Sequence, residues 1–153
     1  MNRPVAVYVL CLLHLILGLN GILGGAALIL DKDGALLGMQ TGWLDGSPFP
    51  DFRMPGIILF LLLGYGPLFC SLSLYFQPRP EMAGRLNIYQ GKYWGWTFSL
   101  FIGIIVLAWI IVQQIFTSYF WLQPLVLTWG VCIIILTLMP TVMKYYSRPH
   151  HEN

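Results

Sequence analysis

A few polar side chains interrupt the long hydrophobic runs of this chain, and they are its candidates for chemistry. Only the histidine among them titrates near neutral pH, and an ionisable group inside a hydrophobic run predicts a functional site. No Asp or Glu lies in any of the runs, which disfavours proton-coupled transport. The candidates are His14, Asn20, Tyr65, Gln113, Gln114 and Thr128.

Between the first two runs lies a polar break, residues 31–55, which adds two charged candidates. Asp51 and Arg53 could pair with each other, contact a substrate, or hold the start of the next helix, where the helix dipole favours Asp51. The break also contains Asp31-Lys32-Asp33-Gly34, a turn that is similar to the start of a calcium loop. The EF-hand pattern fails, because the position that requires Glu holds Gly42 or Gln40. We therefore predict no metal site.

The three cysteines, Cys11, Cys70 and Cys132, form no CxxC pair and have no metal-binding spacing. Cys11 and Cys70 both come out about 9 Å above the same end of their helices, counted at 1.5 Å per residue, which invites a redox interpretation. Disulfide generators need cysteines that are accessible from outside, and the outer loops contain none. Apolar packing is the favoured use of all three cysteines. We predict no cofactor.

The composition indicates an integral membrane protein. The 153 residues are 58% hydrophobic and 9% charged, with a mean hydropathy of +0.73, whereas soluble domains carry about 25% charged residues. The net charge of +2, without a basic cluster, argues against a nucleic-acid partner. The lipid bilayer is the expected surrounding.

The hydrophobic runs predict an all-α, polytopic membrane protein with one membrane domain, residues 1–153. About 20 apolar residues cross a bilayer. Glycines and a proline in the second run, Gly64, Gly66 and Pro67, predict a kink there. The result is a four-transmembrane-helix bundle with helices at about 5–30, 56–76, 94–116 and 124–143, an outer loop 31–55, an inner loop 77–92 and a tail 144–153.

Lys and Arg in the short loops predict the orientation. Six lie on the side of the termini and two, Lys32 and Arg53, on the other side, which puts both termini in the cytoplasm. The six are Arg3, Arg79, Arg85, Lys92, Lys144 and Arg148. Aromatic residues at the run ends predict two interfacial belts: Tyr93, Trp94, Trp96, Tyr145 and Tyr146 on the inner side, and Tyr119, Phe120 and Trp121 on the outer side.

Counting 1.5 Å per residue along each helix places the polar candidates in two layers. His14 and Tyr65 fall near the middle of the membrane. Asn20, about 22 Å up, falls near Thr128 and a little below Gln113 and Gln114. Both layers could be hydrogen-bonded contacts between helices. The alternative is a pocket that opens outward under the loop, with His14 as its titratable group.

The outer loop has its own apolar content, which predicts that it lies at the membrane interface. Leu36, Leu37, Met39, Trp43 and Leu44 supply bulk, and the two prolines and two phenylalanines of residues 47–52 add rigidity. Two interpretations stay open: a structural lid over the bundle, or a cap that contacts a substrate through Asp51 and Arg53.

Gly18, Gly21 and Gly25 form one small-residue face on the first helix, and Gly21 and Gly25 also form a GxxxG motif. Such a face predicts close packing against another helix. That helix could belong to this chain, to a second copy in a homo-oligomer, or to a membrane-protein partner.

Two stretches resemble a family of small bacterial four-span membrane proteins: LNGILGGAALILDKDGALLG and GSPFPDFRMPGIILF. The matching positions are Gly24, Gly25, Asp31, Gly34, Ser47, Pro48, Phe49, Pro55 and Gly56, and the resemblance covers residues 18–60. It implies a four-helix bundle in a bacterial cytoplasmic membrane and no established activity. Size and topology are also similar to those of DoxX-like proteins, without a shared motif.

We expect a non-enzymatic protein that binds a lipid, an apolar small molecule or a partner protein beneath the outer loop. The alternative is a membrane-embedded enzyme or transporter that acts on an apolar substrate with His14, Asn20 and Asp51. A third hypothesis is an assembly factor or subunit. No catalytic motif is found in the chain.

Overall fold

The computed structural model describes residues 3–78, 85 and 87–147, and every named element in these ranges is a helix. Arg79 and Arg148 of the orientation argument lie outside the described residues. The elements are α1 Val5–Leu30, α2 Arg53–Phe76, α3 Trp94–Phe116, α4 Leu122–Leu138 and α5 Pro140–Tyr145, with short 3₁₀ helices at Ala35–Leu37 and Thr41–Leu44.

Three of these helices, α1, α2 and α3, are long and apolar enough to cross a membrane. Less than half of the most apolar window of each is buried inside the protein. The remainder presents large apolar side chains to the surroundings, such as Val5, Leu23 and Leu30 on α1, which are 70–83% exposed. So much apolar surface is stable in lipid and not in water, and the chain is a membrane protein.

The second helix runs without a break through Gly64, Gly66 and Pro67, where the sequence predicts a kink, and its hydrogen bonding changes there. Its middle, Leu59–Tyr65, is π-helical and ends just before Pro67. A proline ring clashes with the carbonyl four residues earlier and offers no N–H to it, so the backbone ahead of Pro67 widens into a π segment. Gly66 N–H accordingly bonds to the carbonyl of Leu61, five residues back.

The predicted fourth helix, residues 124–143, is wrong at both ends. α4 begins at Leu122, so that Pro124 occupies the first turn, where a missing N–H costs nothing. It ends at Leu138, because Met139 precedes Pro140 and adopts an extended backbone with ψ 132°. Pro140 then starts α5.

The glycine face of α1 packs on α2 of the same chain. An added Cβ at Gly18, Gly21 or Gly25 would collide with α2 backbone atoms, among them Leu63 O opposite Gly21 and Phe60 N, 2.6 Å away, opposite Gly25. Two α2 glycines, Gly56 and Gly64, face α1 in the same way. Of the alternatives for this face, the structure shows internal packing, so it is not free for a second copy or a partner.

The aromatic residues predicted as an inner belt are mostly buried. Tyr93, Trp94, Trp96 and Tyr146 are each less than a tenth exposed, and they donate hydrogen bonds to backbone carbonyls of other segments. Trp96 Nε1 donates to Thr137 O at 2.7 Å, and Tyr146 OH donates to Leu74 O at 2.8 Å. Burial raises the pKa of the Tyr146 phenol above its usual range, which keeps it a donor. These residues join α2, α3 and the segment after α4, and they do not face lipid.

At the opposite end, the loop that connects α1 and α2 is folded onto the helices. Leu44 and Phe52 of the loop bury themselves against Leu28 of α1, in an apolar cluster separate from the main core. Phe52 N–H donates to Lys32 O at 2.9 Å, and Gly34 has φ +81° with Phe52 beside it, where a side chain would not fit. The loop is therefore a packed element.

We expect Gly21→Ala to lower the free energy of unfolding by about 1–3 kcal/mol, because its methyl group would meet α2 backbone that cannot move aside. Gly24→Ala is the matched control, since its Cβ would meet only Leu59 Cδ2 at 3.4 Å. Thermal unfolding in mild detergent measures both. Equal midpoints for the two variants would contradict the close α1–α2 contact.

Candidate functional site

One buried chain of hydrogen bonds links three helices. His14 of α1 is fully buried, and its Nε2 lies 2.8 Å from Ser99 Oγ of α3. Ser99 Oγ is 2.8 Å from Thr137 Oγ1 of α4, which in turn donates to Ile133 O at 2.7 Å. Cys70 Sγ of α2 lies 3.8 Å from His14 Nε2. We call His14, Ser99 and Thr137 the polar chain.

Counting protons along the polar chain assigns the histidine tautomer. Thr137 donates its only hydroxyl proton to Ile133 O, so in the contact between the two hydroxyl groups Ser99 must be the donor and Thr137 Oγ1 the acceptor. Ser99 Oγ therefore accepts from His14, whose Nε2 carries the proton. Nδ1 is then an unprotonated acceptor, and within the described residues it is the one fully buried side-chain nitrogen or oxygen without a hydrogen-bond partner.

The sequence placed His14 in a layer with Tyr65, and the structure separates the two. Tyr65 is 63% exposed and stacks on Phe69, with ring centroids 6.5 Å apart. His14 lies nine residues from the start of α1, whereas Ser99 lies five residues from the start of α3. Because the two side chains are in contact, α1 extends about one turn further toward the side of the termini than α3 does, and a depth count that starts every helix at one level misses this contact.

Above the polar chain the helices enclose a cavity of about 470 Å³. It starts at Ile16, two residues past His14, and extends along α1 to Leu28, with α3 and α4 opposite. Leu37 and Met39 of the outer loop close its top. The volume lies in the range of about 300–1,000 Å³ that is typical of small-molecule sites. The predicted layer of polar residues beneath the loop thus corresponds to an actual cavity, which we call the main cavity.

Its walls are apolar apart from three side-chain amides, Asn20, Gln113 and Gln123. Asn20 Nδ2 donates to Ile16 O at 2.8 Å, which leaves its oxygen unused. Both polar atoms of the Gln123 side chain are hydrogen-bonded: its Oε1 accepts from Phe120 N–H, and its Nε2 donates to Thr117 Oγ1. The Gln113 carboxamide makes no hydrogen bond within the described part of the chain.

A smaller cavity of about 100 Å³ adjoins the main cavity beneath the loop. Ser47 of the loop and Thr117 after α3 line it, and Met39, Gln113 and Phe120 belong to both spaces. We call it the upper cavity. Gln113 therefore lines both an apolar space and a space with hydroxyl groups.

The main cavity reaches the protein surface at α1 and α4, and we call this opening its mouth. Leu23 and Leu125 line the cavity and are also 70% and 48% exposed on the lipid-facing surface. Tryptophans form the inner wall, Trp109 of α3 and Trp129 of α4. Trp129 Nε1 donates to Leu13 O at 3.1 Å, which ties α4 to α1 just beneath the cavity.

Of the eight predicted site residues, the structure brings Asn20 and Gln113 together at the main cavity. Gln114 and Thr128 are exposed and do not line it, and Thr128 Oγ1 donates to Pro124 O of its own helix. Asp51 and Arg53 also lie outside both cavities, and the Asp51 carboxylate accepts the Arg53 backbone N–H at 3.0 Å. That contact caps the start of α2, as one of the sequence hypotheses proposed.

Other residues of the site went unnoticed in the sequence. No motif singles out Gln123, Ser99 or Thr137. Their signal was available, since all three are polar positions within or next to apolar runs. Asp31, considered for calcium, binds the loop itself, because its Oδ2 accepts Leu36 N–H at 2.7 Å.

Comparisons with protein-family models, with characterised proteins and with solved structures give no match for this chain. The resemblance of residues 18–60 to small bacterial four-span proteins therefore stays a prediction.

Thr137→Val keeps the shape of the side chain and removes the hydroxyl that ends the polar chain. We expect it to lower the free energy of unfolding by about 0.6–2 kcal/mol, the range for hydrogen bonds between membrane helices. Thr128→Val is the matched control on the same helix, and its exposed hydroxyl bonds only within α4. Unfolding of both variants in mild detergent tests this. An unchanged Thr137→Val protein would show that the polar chain contributes nothing to stability.

Proposed function

We propose that this chain is a four-span protein of a bacterial cytoplasmic membrane that binds an apolar molecule beneath its outer loop. The observation that carries the proposal is the main cavity. It is large enough for a small molecule, its walls are almost entirely apolar, and its mouth faces the membrane interior. A binding protein without catalysis is favoured, because the buried histidine, His14, is bonded into the helix contacts below the cavity.

Four spans follow if α4 crosses the membrane as well. Its 17 residues are fewer than those of the other three helices, but they lie at the lower end of the roughly 17–25 residues that cross a bilayer. α5 continues the chain in the same region. The excess of Lys and Arg on the side of the termini then places residues 31–55 outside and both termini in the cytoplasm.

Filling the main cavity should prevent binding. Val126 of α4 lines the cavity and is partly buried, and Val126→Phe would place a ring in the space. Val131→Phe is the matched control, because Val131 is on the same helix, exposed to lipid and outside the cavity. We expect the parent protein and Val131→Phe to retain the same apolar molecule in mild detergent, and Val126→Phe to lose at least about nine-tenths of it, since overpacking excludes a ligand that needs the space.

Native mass spectrometry of the three purified proteins measures the retained molecule. Equal retention by Val126→Phe would place the ligand elsewhere, and an empty parent protein would refute the proposed function. Matching thermal midpoints of the two variants are the control for folding.

The orientation is tested by cysteine labelling in intact cells, with Cys132 replaced by Ser because it is the exposed native cysteine among the described residues. Thr41→Cys in the outer loop should react with a membrane-impermeant thiol reagent from outside, and Lys144→Cys only after lysis. Both positions are exposed. The reverse pattern would invert the topology.

A further inference from the structure

The polar groups of the two cavities narrow the class of ligand, and this step rests on the proposed function. Within the described residues, neither cavity is lined by Asp, Glu, Lys, Arg or His. A charged head group placed there would lose its hydration without gaining a counter-charge, which is costly in an apolar surrounding. The lining therefore selects against fatty acids and phospholipid head groups.

The same lining offers hydrogen bonds to an uncharged head group. The unused Gln113 carboxamide supplies two N–H donors and one acceptor at the boundary of the two cavities. Ser47 and Thr117 add hydroxyl groups in the upper cavity. Their protons are donated to Phe49 O and Gln113 O, so these hydroxyls can serve a head group only as acceptors. A carboxamide of this kind recognises a group that both donates and accepts, such as an alcohol or a glycerol.

The length of the main cavity fits a single hydrocarbon chain of a lipid. Along α1 it extends from Ile16 to Leu28, which is about 18 Å at 1.5 Å per residue. Half of a hydrocarbon core of about 30 Å is about 15 Å, so the cavity is about as deep as one leaflet. The buried side chains of Leu17, Leu63 and Ile110 line the cavity below Gln113, without a polar group among them.

The mouth of the main cavity gives such a molecule a route. A lipid of the leaflet on the loop side can pass between Leu23 and Leu125 without crossing water. Asn20 is exposed beside this mouth, and its side-chain oxygen has no partner among the described residues. The head group is thus offered a first hydrogen bond at the entrance and further ones at Gln113.

We propose that the two cavities together form a site for an uncharged single-chain amphiphile, with the chain in the main cavity and a hydroxylated head group at Gln113. The ligand is a neutral lipid with an alcohol or glycerol head, taken from the leaflet next to the outer loop. Gln113 is the specificity-determining residue, and the apolar walls supply most of the affinity.

The test uses two probes with one oleoyl chain each: 1-monooleoylglycerol, which is neutral, and oleate, which is charged. Titration of the full-length protein in detergent, followed by native mass spectrometry, gives both affinities. We expect the neutral probe to bind at least about tenfold more tightly than oleate. Gln113→Leu should weaken binding of the neutral probe by about 5- to 30-fold, since the hydrogen bonds of the head group are lost. The same change should leave oleate binding unaltered.

Gln114→Leu is the matched control, because the neighbouring amide is exposed and lines neither cavity. It should bind both probes like the parent protein. Equal or tighter binding of oleate, or equal behaviour of Gln113→Leu and Gln114→Leu, would overturn the assignment of a neutral head group. If both probes bind equally and Val126→Phe abolishes both, the proposed function stands and only this inference fails. If neither probe binds the parent protein, both fail.

Discussion

The contact of His14 with Ser99 and Thr137 is the constraint on which the rest of the helix arrangement depends. It joins α1, α3 and α4 in one section, with Cys70 of α2 beside it. An imidazole nitrogen with its proton in an apolar surrounding must find an acceptor, so this section fixes the relative depth of three helices. Between this section and the ends of the helices near the chain termini, buried aromatic side chains keep the helices packed together.

Above that section the described residues form no comparable polar contact between α1 and the α3–α4 pair. The glycine face keeps α1 against α2 from Gly18 to Gly25, while the main cavity lies between this pair and the α3–α4 pair. The packed loop covers the gap, through Leu44 and Phe52 on one side and Met39 over the main cavity on the other. The helices are in contact below the main cavity and separated beside it, and the loop covers the cavity from above. The buried histidine thereby joins helices, and among the described residues that line the cavity the Gln113 carboxamide and the Asn20 oxygen have no hydrogen-bond partner.

The sequence predicted the helical class and the bounds of α1 and α3, because an apolar run of more than 20 residues without charge has few other uses. It misplaced the end of α4, since Met139-Pro140 breaks a run that hydropathy alone reads as continuous. It also predicted that the inner aromatic residues form a belt at the membrane interface. Their indole and phenol donors instead pair with carbonyls left free at helix ends and turns, which composition does not reveal.

The candidate site was predictable from the sequence only in part. The depth of Asn20 and Gln113 follows from their position along a helix, and both line the main cavity. Which side a residue faces depends on helix rotation, and that is set by packing between helices. Tyr65, Gln114 and Thr128 have a suitable depth but point outward. The partners of His14 could not be found from depth either, because the helices start at different levels.

The central claim is that the main cavity holds a single-chain neutral lipid from the adjacent leaflet. The most direct measurement is a high-resolution structure of the protein in nanodiscs made from a bacterial lipid extract. The account predicts an elongated, continuous density from Ile16 to the Gln113 carboxamide, with its wider end at Gln113 and within hydrogen-bonding distance. A cavity closed by inward movement of α4, or filled by ordered water along its apolar walls, would contradict it.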